Sequence, residues 1–276
     1  MRTRFIRYIE GKSVIHRLDP RSKLIFVFSI LLSLTVAPNI LFLIPLLAVS
    51  LAFYFSARLP WSKTKTTWKF VLAIILVLST LNLLTLSILY GGAQTLEDVI
   101  AQLTSKEVLL KSLTPVTKLL TLAIATVTFI FTTPPHLYAP ALGQMGVPYK
   151  VAYIVQLALR YIPEYIDEMK KTLEAQMARG FRPKGGKNPI ARILSVVPLV
   201  VPVTISATLS IYDIADAMEL RGFGEKKCHT WYRKLRMMRR DKLLIMISIA
   251  LAAIYVAIFL MRLYGVIDIP TILSLC

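Results

Sequence analysis

Arg179 and Arg221 stand 42 residues apart, each near the end of a matching eight-residue run. The first run is Glu174-Ala-Gln-Met-Ala-Arg-Gly-Phe181 and the second is Asp216-Ala-Met-Glu-Leu-Arg-Gly-Phe223. Both read as an acid, an alanine, two variable positions, a small or aliphatic residue, then Arg-Gly-Phe. One reading of either copy is a helix C-terminus, with glycine in the left-handed conformation and arginine complementing the negative end of the helix dipole. A cap needs neither the phenylalanine after the glycine nor the acid six residues before it. The chemistry open to a repeated arginine is recognition, because a planar guanidinium makes paired bonds to carboxylates and carbonyls. Two such ends suit two similar sockets on a partner with duplicated, pseudo-symmetric subunits.

Residues for catalysis are sparse by comparison. There is no Gly-x-x-x-x-Gly-Lys-Ser/Thr run for nucleotide phosphates, and Gly185-Gly186-Lys187 lacks its spacing and its hydroxyl residue. His16, His136 and His229 fall in separate segments, and only Cys228 and His229 adjoin, so the convergent ligands of a metal site are missing. Asp167/Glu168 and Asp213/Asp216 are the acids that an enzyme would use. They sit among Lys and Arg at helical spacing, as solvated or paired faces do. The expectation is a non-catalytic chain with no cofactor and no bound metal.

The elements that must carry the two arginines follow from composition. Of 276 residues 56% are hydrophobic and 17% charged, more apolar than a soluble domain. Net charge is +18. The surplus is not a nucleic-acid footprint, since no zinc-finger, basic-zipper or RNA-binding signature occurs. Instead the basic residues lie between apolar blocks: 7 before Leu24, 4 in 58–69, 2 in 91–114, Lys118 alone in 115–132, 18 in 133–242, and Arg262. The blocks 24–37, 40–57, 70–90, 115–131 and 243–264 are near the length needed to cross a bilayer. The asymmetry of Lys and Arg puts the N-terminus inside and the C-terminus outside. This predicts an all-α membrane protein with about five transmembrane helices, anchored by an uncleaved first span because no small-residue cleavage site follows it. Trp61 and Trp68 read as interfacial anchors of the third span, Lys118 and Arg262 as snorkelling charges, and Asn82 as an amide bonding between helices.

The organisation has three parts: 1–132 with the N-terminal segment and four spans, 133–242 on the inner side, and 243–276 with the last span. Prolines and glycines divide the middle part into a short element at about 136–145 and two long helices, 149–179 and 189–221. Each long helix reaches roughly 45–50 Å at 1.5 Å per residue. In the first, Ile162, Tyr165, Ile166, Met169, Leu173 and Met177 form one apolar stripe opposite a charged face. The second is apolar nearly all round until Asp213 and must be covered by a partner, the first helix or lipid. Its stretch 193–212 scores as a span on hydropathy alone; the shared partner implied by the twin arginines keeps it on the inner side.

At these residues the chain resembles the transmembrane T component of energy-coupling factor (ECF) transporters, ATP-binding-cassette importers of prokaryotic cell membranes for vitamins and metal ions. The family's marks are two Ala-Arg-Gly tripeptides ending long cytoplasmic coupling helices, and a stretch like His16-Arg-Leu-Asp-Pro-Arg-Ser-Lys-Leu24 before the first span. The first tripeptide matches at Ala178-Arg179-Gly180; the second reads Leu220-Arg221-Gly222, with leucine in place of alanine. The resemblance implies a scaffold. Arg179 and Arg221 dock in grooves of two ABC ATPase subunits, identical or different, while Ala178, Gly180, Leu220 and Gly222 shape the helix ends. The coupling helices cross in an X, and the apolar faces of 149–177 and 193–212 carry a membrane-embedded, substrate-binding S component. ATP-driven closure then shifts the helices and tips that S component. Glu174-Ala175 with Gly180 is also similar to the coupling loop of ordinary ABC importer permeases, a reading that would route substrate through this chain.

Overall fold

The computed structural model describes residues 8–9, 11, 13–37, 39–91, 106–181, 197–225 and 235–264. Regular structure among the described residues is helical throughout. In chain order the helices are α1 (Val14–Arg17), α2 (Pro20–Val36), α3 (Ile40–Ala57), α4 (Trp61–Gly91), α5 (Lys106–Thr132), α6 (Tyr138–Gln144), α7 (Tyr149–Ala178), α8 (Val197–Leu220) and α9 (Arg239–Leu263). The chain divides into two compact units: Arg7–Pro134 with Leu235–Cys276, and Met1–Ile6 with Pro135–Lys234.

In the first unit α2 packs against α9 and α5, and α3 and α4 both pack against α5. Phe26, Ile30, Leu34, Leu43, Leu46, Phe53, Ala125 and Tyr255 are buried together, with the Phe26 and Phe53 rings 4.4 Å apart. Many buried positions between these helices are hydroxylated: Ser33, Thr121, Thr128 and Thr132. Each donates to the carbonyl four residues earlier, at 2.7–2.8 Å. That bond satisfies the hydroxyl within its own helix and leaves a small side chain for close helix contact. Outward faces are apolar instead, with Leu41, Ile44, Phe70, Leu76, Met246 and Ile249 exposed.

The sequence His16–Leu24 acquires a structural reason here. Asp19 caps α2 by accepting the Arg21 N–H at 3.0 Å, and Pro20 takes the first helical position. The Asp19 N–H donates to Asp241 Oδ1 at 2.8 Å, and Asp241 Oδ2 accepts the Met238 N–H at the start of α9. The buried Lys23 ammonium donates to the Thr132 carbonyl at the end of α5. One polar knot thus joins the ends of three helices that are distant in sequence. Upstream, His16 Nε2 donates to the Ile9 carbonyl at 3.0 Å, and its Nδ1 accepts from the Ser13 hydroxyl at 2.6 Å. A Cβ on Gly11 would lie 2.6 Å from the same ring, so only glycine fits there.

Five helices among the described residues are long and apolar enough to cross a membrane: Ile40–Ala57, Trp61–Asn82, Leu113–Thr132, Val197–Leu220 and Arg239–Leu263. Four of them overlap spans expected from the sequence. The block at 24–37 becomes α2, whose 17 residues rise only about 25 Å. α8, the stretch assigned to the inner side, is on length and composition itself span-like. One side chain behaves differently from expectation. Trp68 is buried and donates its indole N–H to the Tyr54 hydroxyl at 3.0 Å, a core residue rather than an interfacial anchor. Lys118 donates to the Ala37 carbonyl at 3.3 Å, where α2 stops and leaves carbonyls unpaired. Asn82 Oδ1 is buried and accepts no hydrogen bond among the described residues.

In the second unit a 3-10 turn, Pro135–Leu137, leads into α6, which packs on α7, and α7 pairs with α8. Glu168 of α7 accepts a short hydrogen bond from the Ser206 hydroxyl of α8. The two long helices cover little of each other. α7 buries Ala152 alone and α8 buries Leu199 and Val203, while Val200, Val201, Ile205, Leu209, Ile211 and Tyr212 stay exposed. The apolar stripe of α7 is likewise open at Ile162, Met169 and Met177.

Candidate docking site

The two Arg-Gly-Phe ends have the same backbone. In the first, the Gly180 N–H donates to the Met177 carbonyl at 3.0 Å and the Phe181 N–H to the Gln176 carbonyl at 2.9 Å. In the second, the Gly222 N–H donates to Glu219 at 2.8 Å and the Phe223 N–H to Met218 at 3.0 Å. The glycines have φ of +86° and +71°, the left-handed region that a side chain resists. Nothing lies within 4 Å of a Cβ built on Gly180, so glycine is required there by conformation and not by crowding.

A third helix in this unit ends the same way without the arginine. At the end of α6 the Gly146 N–H donates to Gly143 at 3.4 Å and the Val147 N–H to Leu142 at 3.2 Å, with Gly146 at φ +104°. The residue preceding that glycine is Met145. The closure therefore needs glycine and an apolar residue after it, and neither arginine nor phenylalanine. Arg179 and Arg221 occupy the equivalent position while contributing nothing that the backbone turn demands.

Both arginines are exposed, and among the described residues neither guanidinium enters an ion pair or a side-chain hydrogen bond. Ala178 and Leu220 are the last residues of their helices and are exposed as well. The substitution of leucine for alanine has a plain consequence: Leu220 is 90% exposed, an apolar knob standing beside Arg221. The two ends are not brought together. Phe223 lies on Tyr149 and Tyr153 at the start of α7, whereas Arg179 caps that helix at its other end. The 30 residues of α7 put about 45 Å between them along the helix. The spacing suits separate sockets.

Beside Arg221 a recess of about 940 Å³ opens between α7 and α8, walled by Tyr149, Tyr153 and Tyr161, with Arg160, Asp213 and Glu225 at its polar positions. The Arg160 guanidinium stacks 5.8 Å from the Tyr161 ring. Two of the four acids weighed for enzyme chemistry have structural partners. Asp167 pairs with Lys170 at 2.8 Å on the surface, and that bond holds its carboxyl below the ordinary aspartate value. Glu168 is taken by Ser206. Among the described residues no three His, Cys, Asp or Glu side chains converge on one point. Cys228, His229 and Gly185–Lys187 lie outside the described residues.

Sequence reasoning missed Asp241, Ser206 and the pair Tyr149 and Tyr153. Asp241 carried one signal, as a lone acid between Arg240 and Lys242 at the mouth of an apolar helix. The others carried none, because their roles depend on which helix faces them.

Residues 11–230 match the family CbiQ, described as cobalt transport protein. Over 267 residues the chain is 30% identical to the energy-coupling factor transporter transmembrane protein EcfT of Macrococcus caseolyticus, covering 90% of this chain and 96% of that protein. It is 30% identical to the same protein of Streptococcus equi, covering 89% and 92%, and 30% identical to that of Bacillus subtilis, covering 90% and 95%. With several apolar helices long enough to span a bilayer and this similarity along nearly its whole length, the chain is a multi-pass membrane protein belonging to the EcfT (CbiQ) family of transmembrane components of energy-coupling factor transporters.

Proposed function

We propose that this chain is a non-catalytic scaffold that couples ATP hydrolysis by two ABC ATPase subunits to uptake of a vitamin or metal ion through a substrate-binding S component. Arg179 and Arg221 dock one ATPase each, with Ala178, Gly180, Leu220 and Gly222 setting the shape of the helix ends. The observation that carries this reading is the end of α6, which closes in the same way with Met145 in place of arginine. An arginine repeated at two exposed ends, surplus to folding, is accounted for by a partner. The exposed apolar faces of α7 and α8 fit a platform for a membrane-embedded subunit, since water does not favour leaving them bare.

The topology proposed with it places the protein in a prokaryotic cell membrane, N-terminus in the cytoplasm, because basic residues collect in 1–23, 58–69 and 133–242. Residues 1–132 and 243–276 then hold the spans and 133–242 the coupling helices.

Co-purification with the host's ATP-binding subunits tests the docking role. Arg179→Glu and Arg221→Glu should each weaken ATPase retention, and together abolish it, while the membrane protein stays monodisperse. Full retention by the double variant would reduce both arginines to helix caps. Substrate bound by the purified chain alone would favour a permease over a scaffold.

A further inference from the structure

The repeated phenylalanine is explained neither by the glycine closure nor by arginine docking, and the structure treats its two copies unequally. Phe223 rests on the first turns of α7, its ring centroid 4.8 Å from that of Tyr153 and 5.7 Å from that of Tyr149, the latter nearly edge-on. Gly224 comes next at φ +95°, and a Cβ there would come within 3.7–3.9 Å of Lys150 and Tyr149. The chain leaving α8 is thereby laid onto the start of α7 for two consecutive residues. Phe181 makes no ring–ring contact among the described residues.

We propose that Phe223 is a positioning residue: clasped by Tyr149 and Tyr153, it fixes the direction in which Arg221 is presented to its ATPase. The inference rests on the docking reading and adds a mechanism to it. Arg221 follows the last residue of α8 and is two residues from Phe223, joined to it through Gly222. A glycine joint by itself leaves the chain on either side free to take many relative orientations. An anchor on the far side of the glycine removes that freedom before the partner arrives, so less ordering is left to oppose binding. The clasp also holds α8's end against α7, so that a displacement of one helix reaches the other through Phe223. The Arg179 end has no such brace among the described residues, and the two docking elements should differ in stiffness although their sequences repeat.

The test measures affinity of the full-length protein in nanodiscs for the purified ATPase subunits. Phe223→Ala should weaken binding about tenfold, the scale of having one or two further side chains to order on binding, while Phe223→Tyr restores it. In a double-mutant cycle Phe223→Ala should add nothing to Arg221→Ala, because it acts through that arginine. Phe181→Ala should have the smaller effect. Tyr153→Leu removes the clasp from the other side, outside the docking end, and should reproduce Phe223→Ala; it serves if Phe223→Ala does not fold. Full additivity with Arg221→Ala, or unchanged affinity for both clasp variants, overturns the proposal. Failure of the docking reading is separate: there Arg179→Glu and Arg221→Glu leave ATPase binding of the parent protein intact.

Discussion

The backbone N–H of Asp19 donates to Oδ1 of Asp241 at 2.8 Å, across 222 residues of sequence. The other oxygen of Asp241 is used by the Met238 N–H, and the Ser22 hydroxyl approaches Oδ1 at 3.4 Å. Asp241 is 1% exposed, so without it the buried Asp19 N–H would be left unpaired, while the Ser22 hydroxyl keeps its bond to the Asp19 carbonyl at 2.8 Å. Asp241→Ala should therefore cost about 2 kcal/mol, the scale for orphaning one buried donor of a charged acceptor, and Asp241→Asn clearly less. Thermal unfolding in detergent checks this. An unchanged midpoint for Asp241→Ala would mean that the knot is not a support of the fold.

His16 gives a pH dependence. Burial holds its pKa below 6.5, opposed by the hydrogen bond to the Ile9 carbonyl and reinforced by Lys23. The unfolded chain then binds more protons than the folded one between the lowered value and 6.5, so stability falls as pH drops through that window and is fully present above it. Unfolding midpoints should decline as pH falls from about 7 to about 5, and His16→Gln should flatten the slope. The same slope in the variant would assign it to another group.

Glu168 and Ser206 link α7 to α8 through a single polar bond in a mostly apolar contact. Ser206→Val leaves a half-buried carboxylate without its donor and should cost about 1–2 kcal/mol, whereas Glu168→Gln keeps a hydrogen-bonding partner and should be nearly neutral. A double-mutant cycle in thermal unfolding should return a coupling of about 1 kcal/mol. Independent effects would show that the bond does not hold the pair.

Leu220 is 90% exposed beside Arg221, and the proposed function puts it against an ATPase. Leu220→Ala should weaken ATPase binding about tenfold by losing burial of its methyl groups in the complex, without altering the stability of the free protein. Ala178→Leu should bring no comparable gain at the other end. Equal affinity for Leu220→Ala and the parent protein would place that side chain outside the interface.

Much of this molecule is local in origin, which is why the chain's own order displays it. Long apolar blocks must become helices in hydrocarbon, where every backbone group needs a partner within its own segment. Asp19-Pro20 starts α2 and Arg-Gly-Phe ends α7 and α8 through bonds spanning at most six residues. The repeated arginines were visible for the same reason. The block at 24–37 folds as α2, which starts four residues ahead of the block at Pro20 and ends at Val36.

What only the tertiary structure decided is which polar groups meet across helices. Asp241 with Asp19, Ser206 with Glu168, and Phe223 with Tyr153 each join segments whose spacing in the chain bears no relation to their separation in space. Trp68 turned inward on Tyr54, although tryptophans at the ends of spans commonly face the interface. By itself the sequence determined the helical membrane architecture, the basic segments between apolar blocks and the twin Arg-Gly ends, since period, composition and short-range hydrogen bonds govern them. The placement of those ends, about 45 Å apart along α7 with only the second clasped among the described residues, came from helix packing, which depends on side chains meeting in three dimensions.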